Sequence, residues 1–70
     1  MERIAVFPGS FDPFTIGHEE IVRRGLKLFD KIVIAVGVNP IKKEFLTTDC
    51  RIRLIRKAFQ DTDRVTVEPY

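Results

Sequence analysis

Residues 3–18 read RIAVFPGSFDPFTIGH, and this stretch decides the fold of the chain. Its apolar start, residues 4–7, has the composition of a buried strand. Two breaker pairs, Pro-Gly and Asp-Pro, follow within residues 8–13 and force the chain out of the strand in compact turns. A helix then begins near Thr15 or Ile16. The stretch therefore predicts a strand, a tight loop and a helix N-terminus in succession.

The rest of the chain continues the same alternation of strands and helices. The predicted strands are residues 3–7, 31–36 and 64–68, and the predicted helices are residues 16–29 and 48–60, with approximate ends. The second strand, KIVIAV, is apolar at consecutive positions, which is typical of strands buried on both faces. The order β-α-β-α-β predicts an α/β fold with a parallel sheet.

The two predicted helices each carry one apolar stripe. The stripe of the first helix is Ile21, Val22, Gly25, Leu26 and Phe29; that of the second is Ile52, Ile55, Ala58 and Phe59. The basic residues on the other side of the second helix are predicted to be solvated; they are Arg51, Arg53, Arg56 and Lys57.

Handedness predicts that this chain is half of a doubly wound domain. Parallel crossovers are right-handed, so strands that progress in one direction place both helices on the same face of the sheet. The other face would then be bare, and a single core in 70 residues is marginal. We expect further strands beside the first one, and helices on the bare face, from a missing half.

Composition excludes several classes of partner. The chain is 44% hydrophobic and 31% charged, and it has no apolar run long enough to span a bilayer and no signal-peptide pattern at its start. We therefore expect a cytoplasmic protein with no membrane partner. Its net charge is +2, and its basic residues are mixed along the chain with ten acidic ones. Basic and aromatic residues do not alternate, so small anionic substrates are favoured over nucleic acid as partners.

The start of the first helix is predicted to be an anion site. Backbone amides of a first helical turn have no intrahelical acceptor, and the helix dipole adds partial positive charge there. Gly17 would allow close approach of a ligand, and the ring of His18, the only histidine, could donate to a phosphate oxygen. The chain contains neither G-x-G-x-x-G nor G-x-x-x-x-G-K-[ST], so the site is a different kind of nucleotide cradle.

The motif at residues 15–18, TIGH, resembles the [HT]-x-G-H signature of the nucleotidyltransferase superfamily. The longer string PGSFDPFTIGH, followed by NPIKK at residues 39–43, resembles bacterial phosphopantetheine adenylyltransferases. The resemblance covers essentially the whole chain, but members of that family are considerably longer. It implies that residues 1–70 are the N-terminal half of a single nucleotidyltransferase domain with a Rossmann-like fold.

The resemblance implies transfer of AMP from ATP to 4′-phosphopantetheine, a step of coenzyme A biosynthesis that gives dephospho-CoA and pyrophosphate. The acceptor phosphate attacks the α-phosphorus in line, with Mg²⁺ as the cofactor bound to ATP and no metal ligand assigned to the protein. It also implies a homohexamer. The family's arginines and its serine-rich phosphate segment are missing here, so we expect the 70-residue segment alone to turn over little.

The resemblance assigns most of the ATP contacts to the loop after the first strand. His18 corresponds to the histidine that binds the α-phosphate and stabilises the transition state. Ser10 matches a hydroxyl residue that contacts both ATP and the acceptor. The backbone of Phe11 contacts ATP while its ring packs, and Gly17 belongs to the same ATP site.

The acceptor side is assigned to the loop after the second strand. Lys42 matches a lysine that holds the acceptor phosphate, Lys43 is expected to be a surface residue, and Val38 and Asn39 could line the acceptor pocket.

Asp12 could be a base or a magnesium ligand, but an aspartate before proline is first a turn residue.

Two other functions stay open. Another nucleotidyltransferase, such as a cytidylyltransferase or a nicotinamide mononucleotide (NMN) adenylyltransferase, would share the T-x-G-H site and differ in its acceptor. A noncatalytic nucleotide-binding or assembly module would bind ATP without releasing pyrophosphate.

Overall fold

The computed structural model describes residues 1–38, 41 and 43–70 of the chain. The elements are β1 (Ile4–Gly9), α1 (Ile16–Gly25), β2 (Lys31–Val36), α2 (Thr48–Ala58) and β3 (Val65–Pro69). The strands form a parallel sheet in the order β1-β2-β3. The predicted β-α-β-α-β order is confirmed. No helix in the described part of the chain has the length and apolar character needed to cross a membrane.

Strand β1 is longer than the sequence predicts. Pro8 and Gly9 were expected to end it, but both pair with β2, opposite Ala35 and Val36. Proline has no amide proton to donate, so it is tolerated in a strand that has a neighbour on one side only, as β1 does within the described residues. The chain therefore leaves the sheet at Ser10.

Both helices end earlier than predicted, and the last strand is shifted. Helix α1 ends at Gly25 rather than near Phe29, because the amides of Lys27 and Leu28 bond to carbonyls three residues back and tighten the chain into turns. Helix α2 ends at Ala58 instead of near residue 60, and β3 lies one residue later than predicted. Strand β2 has the predicted bounds.

Both helices pack on the same face of the sheet, as handedness predicts. The core residues of the sheet are Ile32, Ile34 and Val36 of β2 with Val67 of β3. They form one cluster with Val22, Ile52 and Ile55 of the helices and with Phe59, which caps the end of α2. The predicted stripe of α2 is confirmed. That of α1 is wrong at Ile21, which is 56% exposed.

The other face of the sheet is apolar, and the described residues leave much of it exposed. Ile4 and Val6 of β1 are 53% and 63% exposed, and Val33 and Ala35 of β2 lie on the same face by register and are only half-buried. The expected burial of the strands on both faces is therefore not met by these residues alone. The bare face is the one predicted from the handedness of the crossovers.

Arg64 organises the edge of the sheet where the strands begin. Its guanidinium donates to the carbonyl oxygens of Leu26, Phe29 and Asp30, at 2.5, 2.9 and 2.9 Å. The Asp30 carboxylate accepts from the Arg3 amide at 2.7 Å. The end of α1 is thus tied to the starts of the neighbouring strands.

Arg23 joins α1 to the turn after α2. Its guanidinium donates to both carboxylate oxygens of Asp61 at 3.1 Å, to Glu19 at 2.9 Å and to the Ala58 carbonyl at 2.9 Å. It also lies over the Phe59 ring, 5.0 Å from the centroid. The hydrogen bond from Arg23 lowers the pKa of Asp61, and the hydrogen bond to Asp61 raises the pKa of Arg23.

Candidate nucleotide-binding site

An open cleft of about 560 Å³ lies at the edge of the sheet where the strands end. Its lining consists of residues 7–13, at the end of β1 and in the turn that follows, together with His18 and Ile21 from α1. Exposed Ile21 is thus a cleft residue rather than a core residue. Ligands of parallel α/β sheets bind at this edge, where loops leave the strands.

Phe11 is the packed centre of the turn. It adopts a left-handed backbone conformation, with φ of 50°, which is unusual for a bulky side chain and costs free energy that the packing offsets. Its ring is 4% exposed and makes edge contacts with Phe7, Phe14 and His18 at centroid distances of 5.3, 5.4 and 5.1 Å. A Cβ atom on Gly9 would lie 2.8 Å from this ring, so glycine is required there. The packing predicted for the Phe11 ring is confirmed.

His18 forms a reciprocal cap with Thr15 at the start of α1. The Thr15 hydroxyl accepts from the His18 amide at 3.3 Å, and the His18 Nδ1 accepts from the Thr15 amide at 2.9 Å. Because Nδ1 is an acceptor in this arrangement, the neutral ring carries its proton on Nε2. No acceptor for Nε2 is present among the described residues. The Nε2 N–H of this cleft residue can therefore donate to a ligand.

The first turn of α1 offers further donors. The amides of Ile16 and Gly17 have no acceptor in the described ranges, as expected for the first residues of a helix. A Cβ atom on Gly17 would meet only the Thr15 hydroxyl oxygen, at 3.6 Å. The protein itself therefore has room for a side chain at this position, and the absence of one leaves the amides open to an incoming anion.

The structure brings some predicted site residues to the cleft and leaves others undescribed. Ser10 is exposed and lies in the cleft with Phe11 and His18, while Gly17 is exposed one residue before His18 in α1. Lys42, the predicted acceptor ligand, lies outside the described residues, as does Asn39. Val38 and Lys43 are exposed in the loop after β2.

Asp12 has a definite role that the sequence did not reveal. Its two carboxylate oxygens accept from the amides of Phe45 and Leu46, both at 2.7 Å. The preference for a turn residue over a base or a metal ligand is consistent with this geometry, because the carboxylate is already engaged. The tie to residues so distant in sequence was not predicted.

Arg51 contradicts its predicted place on a solvated helix face. It is 2% exposed, and Nη1 donates to the carbonyl oxygens of Ser10 and Gly37 at 2.6 and 3.2 Å. Nη2 donates to Glu44 at 2.8 Å and to the Thr48 hydroxyl at 3.1 Å. One signal of this burial is visible in the sequence, since Arg51 directly precedes Ile52 and so borders the apolar stripe of α2.

The described residues offer no evident metal centre. They contain no group of three or more His, Cys, Asp or Glu side chains that could hold an ion. Asp12, the carboxylate of the cleft, has both oxygens bonded to amides. The described side chains therefore do not form a ligand set for a divalent cation.

The sheet and helices form one half of a Rossmann-like α/β domain, with the cleft at the usual ligand edge. The sequence profile of the family described as cytidylyltransferase-like matches residues 6–70. The chain therefore belongs to the cytidylyltransferase-like family, and the resemblance of its TIGH motif to nucleotidyltransferases is confirmed.

Several curated relatives are phosphopantetheine adenylyltransferases. The one from Cytophaga hutchinsonii is 53% identical over 70 residues, which are 100% of this chain and 47% of that protein. The one from Flavobacterium johnsoniae is 53% identical over 68 residues, or 97% of this chain and 45% of the relative. The chain thus spans less than half the length of these relatives.

Solved structures confirm the fold. A bifunctional NMN adenylyltransferase/ADP ribose pyrophosphatase from Francisella tularensis matches with a TM-score of 0.83 and 32% identity, over 99% of this chain and 22% of that one. A crystal structure of such a protein from the same organism, complexed with AMP and a manganese ion, matches with a TM-score of 0.81, at 30% identity and the same coverage. The similarity therefore extends to nucleotide-binding structures.

Proposed function

We propose that this chain is the N-terminal half of an adenylyltransferase that moves AMP from ATP to 4′-phosphopantetheine. The observation that carries the proposal is the start of α1, where the Nε2 of His18 and the amides of Ile16 and Gly17 are donors without acceptors among the described residues. Such a cluster suits a phosphate group. Identity of 44–53% to phosphopantetheine adenylyltransferases over nearly the whole chain supports the particular acceptor.

His18 has the central role in the proposed mechanism. With Nδ1 held by the Thr15 amide, its Nε2 proton would contact the α-phosphate and stabilise charge that develops there during transfer. The acceptor phosphate is already a nucleophile, so no side chain has to attack. Catalysis then consists of holding two polyanions in line and neutralising their charge.

The other proposed contacts surround the same cleft. Ser10 would donate its hydroxyl to substrate phosphate, the backbone at Phe11 would contact ATP, and Gly17 would admit the nucleotide to the helix terminus. Lys42 would hold the acceptor phosphate. When bound to the ATP phosphates, Mg²⁺ would offset part of their charge; it would arrive with the nucleotide, since the described side chains provide no ligand set for it.

The biological setting is proposed from the same similarity. An enzyme of coenzyme A biosynthesis would work in the cytoplasm on small anionic substrates, without a nucleic-acid or membrane partner. A homohexamer remains part of this proposal. The bare face of the sheet supports the view that residues 1–70 are half of a single nucleotidyltransferase domain.

An NMN adenylyltransferase is the second candidate, because the matching solved structures carry that name. Their identity of 30–32% is lower than that of the phosphopantetheine adenylyltransferases. The acceptor separates the two candidates, since both reactions use ATP and release pyrophosphate.

The direct test is an acceptor assay on the intact natural protein, after its mass has been measured to establish its length. ATP and Mg²⁺ are supplied with 4′-phosphopantetheine in one reaction and with NMN in another, and pyrophosphate and the adenylylated product are quantified. Dephospho-CoA formed with 4′-phosphopantetheine supports the proposal. Product from NMN alone would replace it with the second candidate, and ATP binding without pyrophosphate release would indicate a noncatalytic module.

A further inference from the structure

Two loops leave the sheet side by side where β1 and β2 end, and they are tied together at two separate points. The β1–α1 loop, residues 10–15, leads into His18, while the β2–α2 loop, residues 37–46, follows the second strand. In the proposed function the first loop serves ATP and the second serves the acceptor. Their relative position therefore decides whether the two substrates meet in line.

The first tie lies where the two strands end. The Gly37 amide donates to the Gly9 carbonyl at 2.7 Å. Beside it, the buried guanidinium of Arg51 bridges the carbonyl oxygens of Ser10 and Gly37. Its charge is matched by Glu44, which belongs to the β2–α2 loop. A single buried cation thus contacts both loops.

The second tie is the Asp12 carboxylate at the other end of the β2–α2 loop. It accepts from the amides of Phe45 and Leu46 at 2.7 Å, and hydrogen bonds to an ionised acceptor are stronger than neutral ones. The Phe45 ring is 80% exposed, so packing of that ring contributes little to holding this end. This end of the loop is therefore held in part through the backbone amides of Phe45 and Leu46.

We propose that Asp12 and Arg51 are positioning residues that hold the β2–α2 loop in register with His18, so that the acceptor phosphate is presented to the bound nucleotide. The proposal rests on the proposed function for the identity of the acceptor. Neither side chain has to touch a substrate, since Asp12 acts through backbone amides and Arg51 through backbone carbonyls and Glu44. A cationic loop held at both ends loses less conformational entropy when it binds a polyanion.

The first variant to make is Asp12→Asn in the intact natural protein. The side chain keeps its size, but one oxygen becomes an amino group, which cannot accept from a backbone amide. Asp61→Asn is the matched control, because it makes the same change at a carboxylate that bonds Arg23 away from the cleft. Arg51→Lys is the companion variant, which keeps the charge and loses the forked geometry.

Two measurements are combined. Hydrogen exchange reports on the Phe45 and Leu46 amides whether or not the protein is active; we expect exchange on the order of tenfold faster in Asp12→Asn and unchanged in Asp61→Asn. Steady-state kinetics should show the KM for 4′-phosphopantetheine raised by about tenfold while the KM for ATP changes by less than about twofold. Partial unfolding would lower the apparent kcat and leave both KM values alone.

The outcomes separate this proposal from the proposed function. Unchanged exchange at Phe45 and Leu46 in Asp12→Asn overturns the positioning role whatever the kinetics, and so does an unchanged acceptor KM in a wild-type protein that transfers AMP. Absence of transfer by the wild type overturns the proposed function instead. In that case, faster exchange in Asp12→Asn still supports the tie between the two loops.

Discussion

The two edges of the sheet use similar polar groups in opposite ways. Where the strands begin, the Arg64 guanidinium donates to carbonyl oxygens of the C-cap and turn that follow α1, and the Asp30 carboxylate accepts from the Arg3 amide. Where the strands end, the amides of Ile16 and Gly17 have no acceptor among the described residues. Where the strands begin, the protein's own side chains bond these backbone groups. Where the strands end, backbone donors are left that can bind a ligand.

The difference indicates how function can be located in this fold. Helix ends leave backbone groups without partners, and a protein that only needs stability caps them with its own side chains, as Arg64 does. At the other edge the capping is partial, because Thr15 and His18 bond each other and leave Nε2 available. Substitutions where the strands begin should therefore change stability, and substitutions where the strands end should change activity.

The largest expected effect is that of His18→Ala on turnover. Loss of the main donor to the developing charge should lower kcat by a hundred- to thousandfold, or about 2.7–4 kcal/mol of transition-state stabilisation. Steady-state AMP transfer measures the effect, with the exposed Arg24→Ala on the same helix as control. If His18→Ala kept full turnover, the proposed catalytic role would be wrong.

The next effect concerns the opposite edge and should appear in stability alone. Arg64→Ala removes three hydrogen bonds to carbonyl oxygens, and we expect the free energy of unfolding to fall by about 1–2 kcal/mol. Urea denaturation measures it, and kcat/KM per folded molecule should not change. Arg53→Ala, at an exposed position on α2, is the control. A selective loss of turnover in Arg64→Ala would contradict the contrast between the edges.

Gly17→Ala should weaken ATP binding and make the protein more stable. Alanine favours a helix over glycine by up to about 1 kcal/mol, and its Cβ has room in the protein. The same methyl group would stand before the donors of α1, so we expect ATP affinity to fall by about tenfold. Calorimetric titration with ATP and a thermal melt test the two effects together. Unchanged ATP affinity would remove Gly17 from the proposed site.

The smallest effect is the pH dependence of the contact between Arg23 and Asp61. The pKa of Asp61 is lowered in the folded state, so its contribution is present above the unfolded pKa of about 4 and disappears as the pH falls through the folded value. The difference in unfolding free energy between wild type and Asp61→Asn should therefore be present at neutral pH and shrink in acid. A difference independent of pH would show that the ion pair contributes nothing.

Most of the fold could be predicted from the sequence. The errors lie where a local preference for a turn or a helical periodicity was overridden by strand pairing or tertiary packing. The three strands of the described residues were predicted, and the bounds of β2 were right. The Pro8-Gly9 pair was misjudged as a strand end, because the pairing available at the side of the sheet outweighs a local turn preference. Ile21 was misjudged as core because periodicity cannot tell a cleft wall from a packed interior.

The sequence by itself determined the parallel sheet, its two covering helices, the bare apolar face and the TIGH helix start, because these depend on local patterns and on the handedness of crossovers. Only the tertiary structure decided the roles of Asp12 and Arg51. The partners of Asp12, and two of the partners of Arg51, are backbone groups far along the chain, and backbone groups leave no mark in a sequence. A charged residue beside an apolar stripe looks the same whether it ends in solvent or clamps two loops at a cleft.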